Sequence, residues 1–165
     1  MELREQIKSA FEHRKKPMIL STSASATMCE YTAKEINNFA DKSRYEINCN
    51  VIEDSFDGIA SFTGDAYCYF LPGILLAGIE SNNRNLLAFS SIIFSLDRSP
   101  VVEYWDLHFL SRWPLLSTTE NLAMQGWLQW YFDAEYDLWG NTHERCFETL
   151  ELLKSQRKAK GRSGR

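Results

Sequence analysis

Apolar positions are densest between Phe62 and Ile79, and the segments on either side carry weaker helical periodicity. The pattern describes one enclosed helix wrapped by amphipathic ones. Thr63 is placed to cap that helix through its hydroxyl, with Gly64 and Asp65 in the first turn and the Asp65 carboxylate complementing the helix dipole. Pro72 lacks a backbone donor and disfavours helical torsions at Leu71, so a kink or break is expected there, with two short helices in place of one. Beyond it Ile74, Leu75, Ala77, Gly78 and Ile79 are apolar nearly all round. Ala66 to Ile79 spans 14 residues before the polar stretch 80–85. That is short of the roughly 20 needed to cross a bilayer, so the segment reads as a protein core.

Leu3, Ile7, Ala10 and Phe11 recur at helical intervals and predict an amphipathic helix over 2–15. The Ser/Thr/Ala run Ser21–Thr27 has no periodicity and reads as a loop. Thr32 and Glu35 stand at capping-box spacing ahead of Ile36, Phe39 and Ala40, predicting a helix over 30–41. Val51, Ile52, Phe56 and Ile59 predict a third, with Asn50 as its cap. After a polar turn at 82–85, Leu86, Phe89, Ile92, Ile93 and Leu96 mark a strongly periodic helix, expected to lie antiparallel on the preceding apolar one. Residues 103–112 predict a helix with Tyr104, Leu107 and Leu110 or Ser111 on one side. Ser117 and Glu120 repeat the capping-box pattern before Met124, Trp127, Leu128 and Tyr131, and Cys146, Phe147, Leu150 and Leu153 define a last helix. No stretch alternates with period two for long enough to argue a sheet. The expectation is an all-α, single-domain bundle of about seven or eight helices around a central Pro-kinked apolar helix.

Charge adds a division to this picture. The net charge of -4 is spread unevenly: 154–165 holds six basic residues and no acid, leaving 12 basic and 22 acidic side chains before it. A helical domain over 1–153 and a basic, disordered tail over 154–165 are therefore expected. An acidic body repels nucleic-acid backbones and suits a basic protein partner, so nucleic acid is expected only through the tail. Cys29, Cys49, Cys68 and Cys146 form no close pair, which fits reduced thiols in a cytosol. The charged amino end, without an apolar signal segment, fits the same cytoplasmic location.

Candidate chemistry is sparse. His13, His108 and His143 lie on separate predicted helices without metal-ligand spacing, and no serine sits in a Gly-x-Ser-x-Gly context, so neither a metal nor a cofactor is expected. Glu53, Asp54 and Asp57 form a carboxylate cluster. If buried together such a group binds a cation or abstracts a proton, because crowded like charges raise a carboxylate's pKa; as a solvated face it contacts a basic partner. Asp133, Glu135 and Asp137 form a second acidic run beside Tyr136 and Trp139, an interface-like mixture. Trp127, Trp130, Tyr131, Phe132, Tyr136 and Trp139 place aromatics nearly all round one helix and its exit, which favours core packing over the alternative of an exposed patch that marks a binding surface.

Thr63, Ala66, Tyr69, Leu71 and Pro72 match the motif of a small bacterial family of unknown function, and Phe62, Tyr67 and Phe70 are aromatic or apolar substitutes within it. The chain resembles that family (domain of unknown function 6714) over roughly 60–132, with Phe94-Ser95-Leu96 and Leu116-Ser117 before Glu120 and Trp127 similar to its later blocks. The resemblance implies a helical bacterial domain and no enzyme class. The leading expectation is a non-enzymatic interaction protein that binds a basic partner, with an immunity-type inhibitor of a toxin as one form. The alternative is a small enzyme or metal binder built on Glu53, Asp54 and Asp57 in a pocket with Tyr67 or Tyr69.

Overall fold

The computed structural model describes residues 2–21, 29–133 and 140–163, with side chains through 157. Among these residues the chain forms α-helices and short 3-10 turns and no strand, so the all-α expectation holds. In order come α1 (Leu3–Phe11), α2 (Glu30–Asn37), α3 (Cys49–Glu53), α4 (Phe56–Ala60), α5 (Gly64–Ser81), α6 (Leu87–Leu96), α7 (Leu107–Leu110), α8 (Thr118–Phe132) and α9 (Thr142–Ser163). The 3-10 turns Val102–Tyr104 and Trp113–Leu115 flank α7.

Helix α5 is the axis of the bundle, buried continuously from Ala66 to Gly78. Thr63 Oγ1 accepts from the Ala66 N–H at 3.1 Å and fixes its start. Asn82, at φ 49°, ends it in the left-handed region, and the Asn83 N–H returns to the Gly78 carbonyl at 2.9 Å. The expected break at Leu71-Pro72 does not occur; one helix of 18 residues runs through Pro72. A proline inside a helix costs about 3 kcal/mol, whereas fully burying Phe70, Leu71, Ile74 and Leu75 contributes about 1.5–3 kcal/mol each. Burial on all sides therefore outweighs the local preference.

Around α5 lie α1, α3 and the Trp113–Leu115 turn, while α8 packs on α1 and α9, and α6 on α9. Helix α6 meets α5 through the Phe89 ring, which sits against Gly78 so closely that a methyl group there would be 2.2 Å from the ring. Phe39, Phe62 and Phe70 form a triad with ring centroids 5.0–5.3 Å apart, and Phe89, Trp127 and Tyr131 form another. The aromatics of α8 are accordingly core residues at Trp127, Tyr131 and Phe132, and Trp130 is half-buried beneath the Arg84 guanidinium, 4.2 Å from its ring.

Several local expectations are corrected. Helix α2 is capped by Cys29, whose Sγ accepts from the Thr32 N–H at 3.4 Å; Glu35 is buried and instead accepts from the Gly58 N–H at 2.7 Å. The stretch read as one helix over 51–59 is two, α3 and α4, broken at Asp54-Ser55, and the cap of α3 is Asn48 rather than Asn50. Tyr104, Leu107 and Leu110 do not face the core: they are exposed, and Trp105 and Phe109 are buried in their place. The capping box at Ser117 and Glu120 is formed as expected. Helix α9 continues to Ser163, so the basic segment begins as helix, and Arg157 docks on the Leu116 carbonyl. The loop expected at Ser21–Thr27 falls, except for Ser21, outside the described residues.

Four of the cations share a destination. Lys16 donates to the carbonyls of Phe39, Ala40 and Lys42 beyond α2, Arg44 to those of Phe11 and Arg14 beyond α1, and Arg84 to that of Trp130 near the end of α8. Arg112 donates to the carbonyls of Ala60, the last residue of α4, and of Phe62 just beyond it. Each satisfies backbone acceptors that a helix C-terminus leaves unpaired and places positive charge at the negative end of its dipole.

Candidate functional site

The carboxylate cluster does not converge. Glu53, Asp54 and Asp57 are all exposed and are divided between α3, its C-terminal cap and the first turn of α4. Glu53 Oε1 accepts from the Leu87 N–H at 2.8 Å and so closes the start of α6, whose own cap residue, Leu86, has no side-chain oxygen. Among the described residues no group of three His, Cys, Asp or Glu is arranged to hold a metal. Asp133 is the exposed C-terminal cap of α8 and accepts from Gln129 Nε2 at 2.6 Å. Glu135 and Asp137, with Tyr136 and Trp139, lie outside the described residues.

The structure instead assembles a cavity of about 190 Å³ where α4, α5, α6 and the 107–113 segment meet. Ile59, Ile74, Ile92 and Trp113 supply apolar walls, and the exposed Ser91 and Phe94 stand at its rim. Tyr67 lines it; Glu53, Asp54 and Asp57 do not. Its ionisable lining consists of Arg98, His108, Arg112 and Tyr67, with no carboxylate.

Arg98, Arg112 and Tyr67 are each held by a specific contact. Arg98 donates through Nε to the Ser95 carbonyl at 2.7 Å and through Nη1 to Asp106 Oδ2 at 2.5 Å. Asp106 also caps α7 by accepting from the Phe109 N–H at 2.8 Å, which holds its carboxyl below the usual range together with the charge of Arg98. Arg112 is only 5% exposed, lies with its guanidinium 4.7 Å from the Tyr67 ring centre, and donates through Nη2 to the Ala60 and Phe62 carbonyls at 2.5 and 2.9 Å. Its Nε is buried with no hydrogen-bond partner among the described residues. Burial lowers the guanidinium's pKa, though not far enough for an arginine to lose its charge. Burial, reinforced by Arg112 and Arg98 against the opposing pull of Asp106, holds His108 below its ordinary value. The same exclusion from water pushes the Tyr67 hydroxyl up.

Sequence reasoning did not find this cavity. Its lining is drawn from separate elements between 56 and 113, and Arg112 appears in the sequence only as the charged end of an expected helix. No helix among the described residues is long and apolar enough to cross a membrane. No family model matches the chain, and neither a curated protein nor a solved structure is similar enough to it to match. Thr63 caps α5, and Ala66, Tyr69, Leu71 and Pro72 are buried, so the motif positions at 63–72 serve the packing of the core.

Proposed function

We propose that the chain is a non-enzymatic helical module that binds a basic protein partner. The observation that carries this reading is the exposed strip over 101–110. Val101, Tyr104, Leu107 and Leu110 recur every three residues and are 43, 76, 85 and 41% exposed, with the carboxylates of Glu103 and Asp106 between them. Large apolar side chains ringed by charge are the composition of a contact surface. The inward turn of Lys16, Arg44 and Arg112 onto helix carbonyls removes positive charge from the exterior, while Glu53, Asp54 and Asp57 stay exposed. That distribution supports an acidic exterior and a partner of opposite sign. Neutralising a basic toxin, as an immunity-type inhibitor does, is one setting for such a pairing.

The test is affinity capture from the source cell with the natural chain and with Tyr104→Ser/Leu107→Ser. The reading requires a basic protein that is retained by the natural chain, released as salt rises and absent from the variant eluate. Capture unchanged by the double substitution, or indifferent to salt, overturns it.

A further inference from the structure

We propose that the cavity between α4, α6 and the 107–113 segment binds a small amphipathic carboxylate, with its apolar body against Ile59, Ile92 and Trp113 and its anionic head on Arg112. The inference is independent of the protein-interaction reading, because none of Val101, Tyr104, Leu107 and Leu110 lines this cavity.

The argument starts from the uncompensated charge. Burying a cation is costly unless it is paired, and Arg112 has carbonyl partners but no carboxylate within ion-pair distance among the described residues. The other deeply placed arginines lack this combination of a missing counter-charge and an orphaned nitrogen. Arg14 is matched by Glu120, and Arg44, although it also bonds only carbonyls, has no orphaned nitrogen. Arg112 alone combines burial, an unpartnered Nε and a place in the wall of a cavity. A ligand carboxylate supplies what is missing, a negative charge beside the guanidinium. Arg98, already paired with Asp106, and His108, held below its ordinary pKa, add hydrogen-bond donors to the same wall rather than free charge, which leaves Arg112 as the anchor for an anion.

The rest of the cavity sets the ligand's body. At about 190 Å³ it lies below the roughly 300–1,000 Å³ of sites for drug-sized molecules, which limits an occupant to about ten non-hydrogen atoms. Its aliphatic and aromatic walls disfavour a free phosphate or a sugar, which would leave polar groups unpaired against them. A medium-chain or aromatic monocarboxylate satisfies both the charge and the walls.

Octanoate, with ten non-hydrogen atoms by its formula, is a suitable probe, and octanol is its uncharged counterpart. Titration calorimetry on the full chain is expected to show octanoate binding at least about ten-fold more tightly than octanol, with inorganic phosphate not binding. Arg112→Gln is expected to remove the preference for octanoate over octanol. Because Arg112 also holds the Ala60 and Phe62 carbonyls, a second variant, Ser91→Trp, blocks the rim from an exposed position and leaves the guanidinium in place. It should abolish octanoate binding while the circular dichroism spectrum and melting temperature stay unchanged. Equal affinity for octanoate and octanol, binding of phosphate in octanoate's place, undiminished binding by folded Ser91→Trp, or no octanoate binding at millimolar concentration would each overturn the proposal.

Discussion

Glu120 and Arg14 meet in a bidentate ion pair, Nε to Oε1 at 2.6 Å and Nη2 to Oε2 at 2.8 Å, with the glutamate side chain wholly removed from solvent. The same carboxylate accepts from the Ser117 N–H at 2.6 Å, and so completes the cap of α8 while tying it to the segment after α1. Burial alone would raise the pKa of Glu120. The hydrogen bonds from Arg14 and Ser117 outweigh that effect and hold it below the ordinary carboxylate value.

Glu120→Gln should therefore destabilise the fold by about 3 kcal/mol, since it leaves a half-buried guanidinium without its counter-charge. A carboxyl whose native pKa is depressed stabilises the fold above its unfolded value near 4.5, and that stabilisation is lost as pH falls through the native value. Urea midpoints of the natural chain and the variant should differ most at neutral pH and converge in acid. A difference that stays constant down to pH 3 would count against the ion pair as its source.

Two glycine substitutions should act in opposite directions. At Gly73 a methyl group would come within 1.8 Å of the Arg44 carbonyl oxygen, a backbone atom, so Gly73→Ala should cost about 3 kcal/mol despite the roughly 1 kcal/mol gain in helix propensity. At Gly126 the nearest atoms are the flexible ends of Leu3 and Gln6 at 3.1 and 3.2 Å, and Gly126→Ala should be neutral or stabilising by up to about 1 kcal/mol. Thermal denaturation of the two variants side by side would decide it.

Pro72→Ala returns an N–H to face the Cys68 carbonyl in the middle of α5. Regaining about 3 kcal/mol of helix preference should exceed the loss of part of a buried ring. The melting temperature should rise by a few degrees, since about 1 kcal/mol shifts a chain of this size by roughly 2–4 °C. A fall in melting temperature would show that the proline ring is needed where it packs.

The part of the fold legible in the sequence is the part decided within one turn of helix. Thr63, Ser117 and Glu120 act on their own neighbours, and the spacing of Phe89, Ile92, Ile93 and Leu96 repeats over whole turns, so caps and faces are visible without tertiary knowledge. Thr32 and Glu35 show the same spacing yet fail, because Glu35 finds the Gly58 N–H on another helix. Over 101–110 the chain winds partly as 3-10, so the period of 3.6 selects the wrong residues for burial and leaves Trp105 and Phe109 unread. The cavity was illegible for a related reason: nothing near Arg112 in sequence shows that α4 will offer it carbonyls rather than carboxylates.

The thiols should separate by environment. Burial pushes Cys68 and Cys146 up to about 12, whereas hydrogen bonds from the side chain and then the backbone of Thr32 lower the exposed Cys29. At pH 8 iodoacetamide should alkylate Cys29 first and leave Cys68 and Cys146 untouched until denaturant is added. Peptide mapping by mass spectrometry reads the order, and early modification of Cys68 or Cys146 would contradict it.

His108 offers a spectroscopic check on the cavity. Burial, Arg112 and Arg98 depress its pKa against Asp106, with Tyr67 also lining the space, so its imidazole should titrate below the ordinary value of 6.5. A carboxylate brought to Arg112 adds negative charge nearby and should move that titration upward. Proton NMR of the imidazole with and without octanoate measures both. An unmoved titration in the presence of bound octanoate would place the ligand elsewhere.

Arg14 donates to the Leu115 carbonyl at 2.6 Å, and Arg157 to its neighbour at Leu116. One short connection is thus gripped by residues 143 positions apart. Neither half of the polypeptide, separated from the other, can complete that grip, so fragments should be unable to fold alone. Deuterium uptake along α1 and in the turn of α9 that carries Arg157 should accelerate together in dilute denaturant, as regions released by a single opening event.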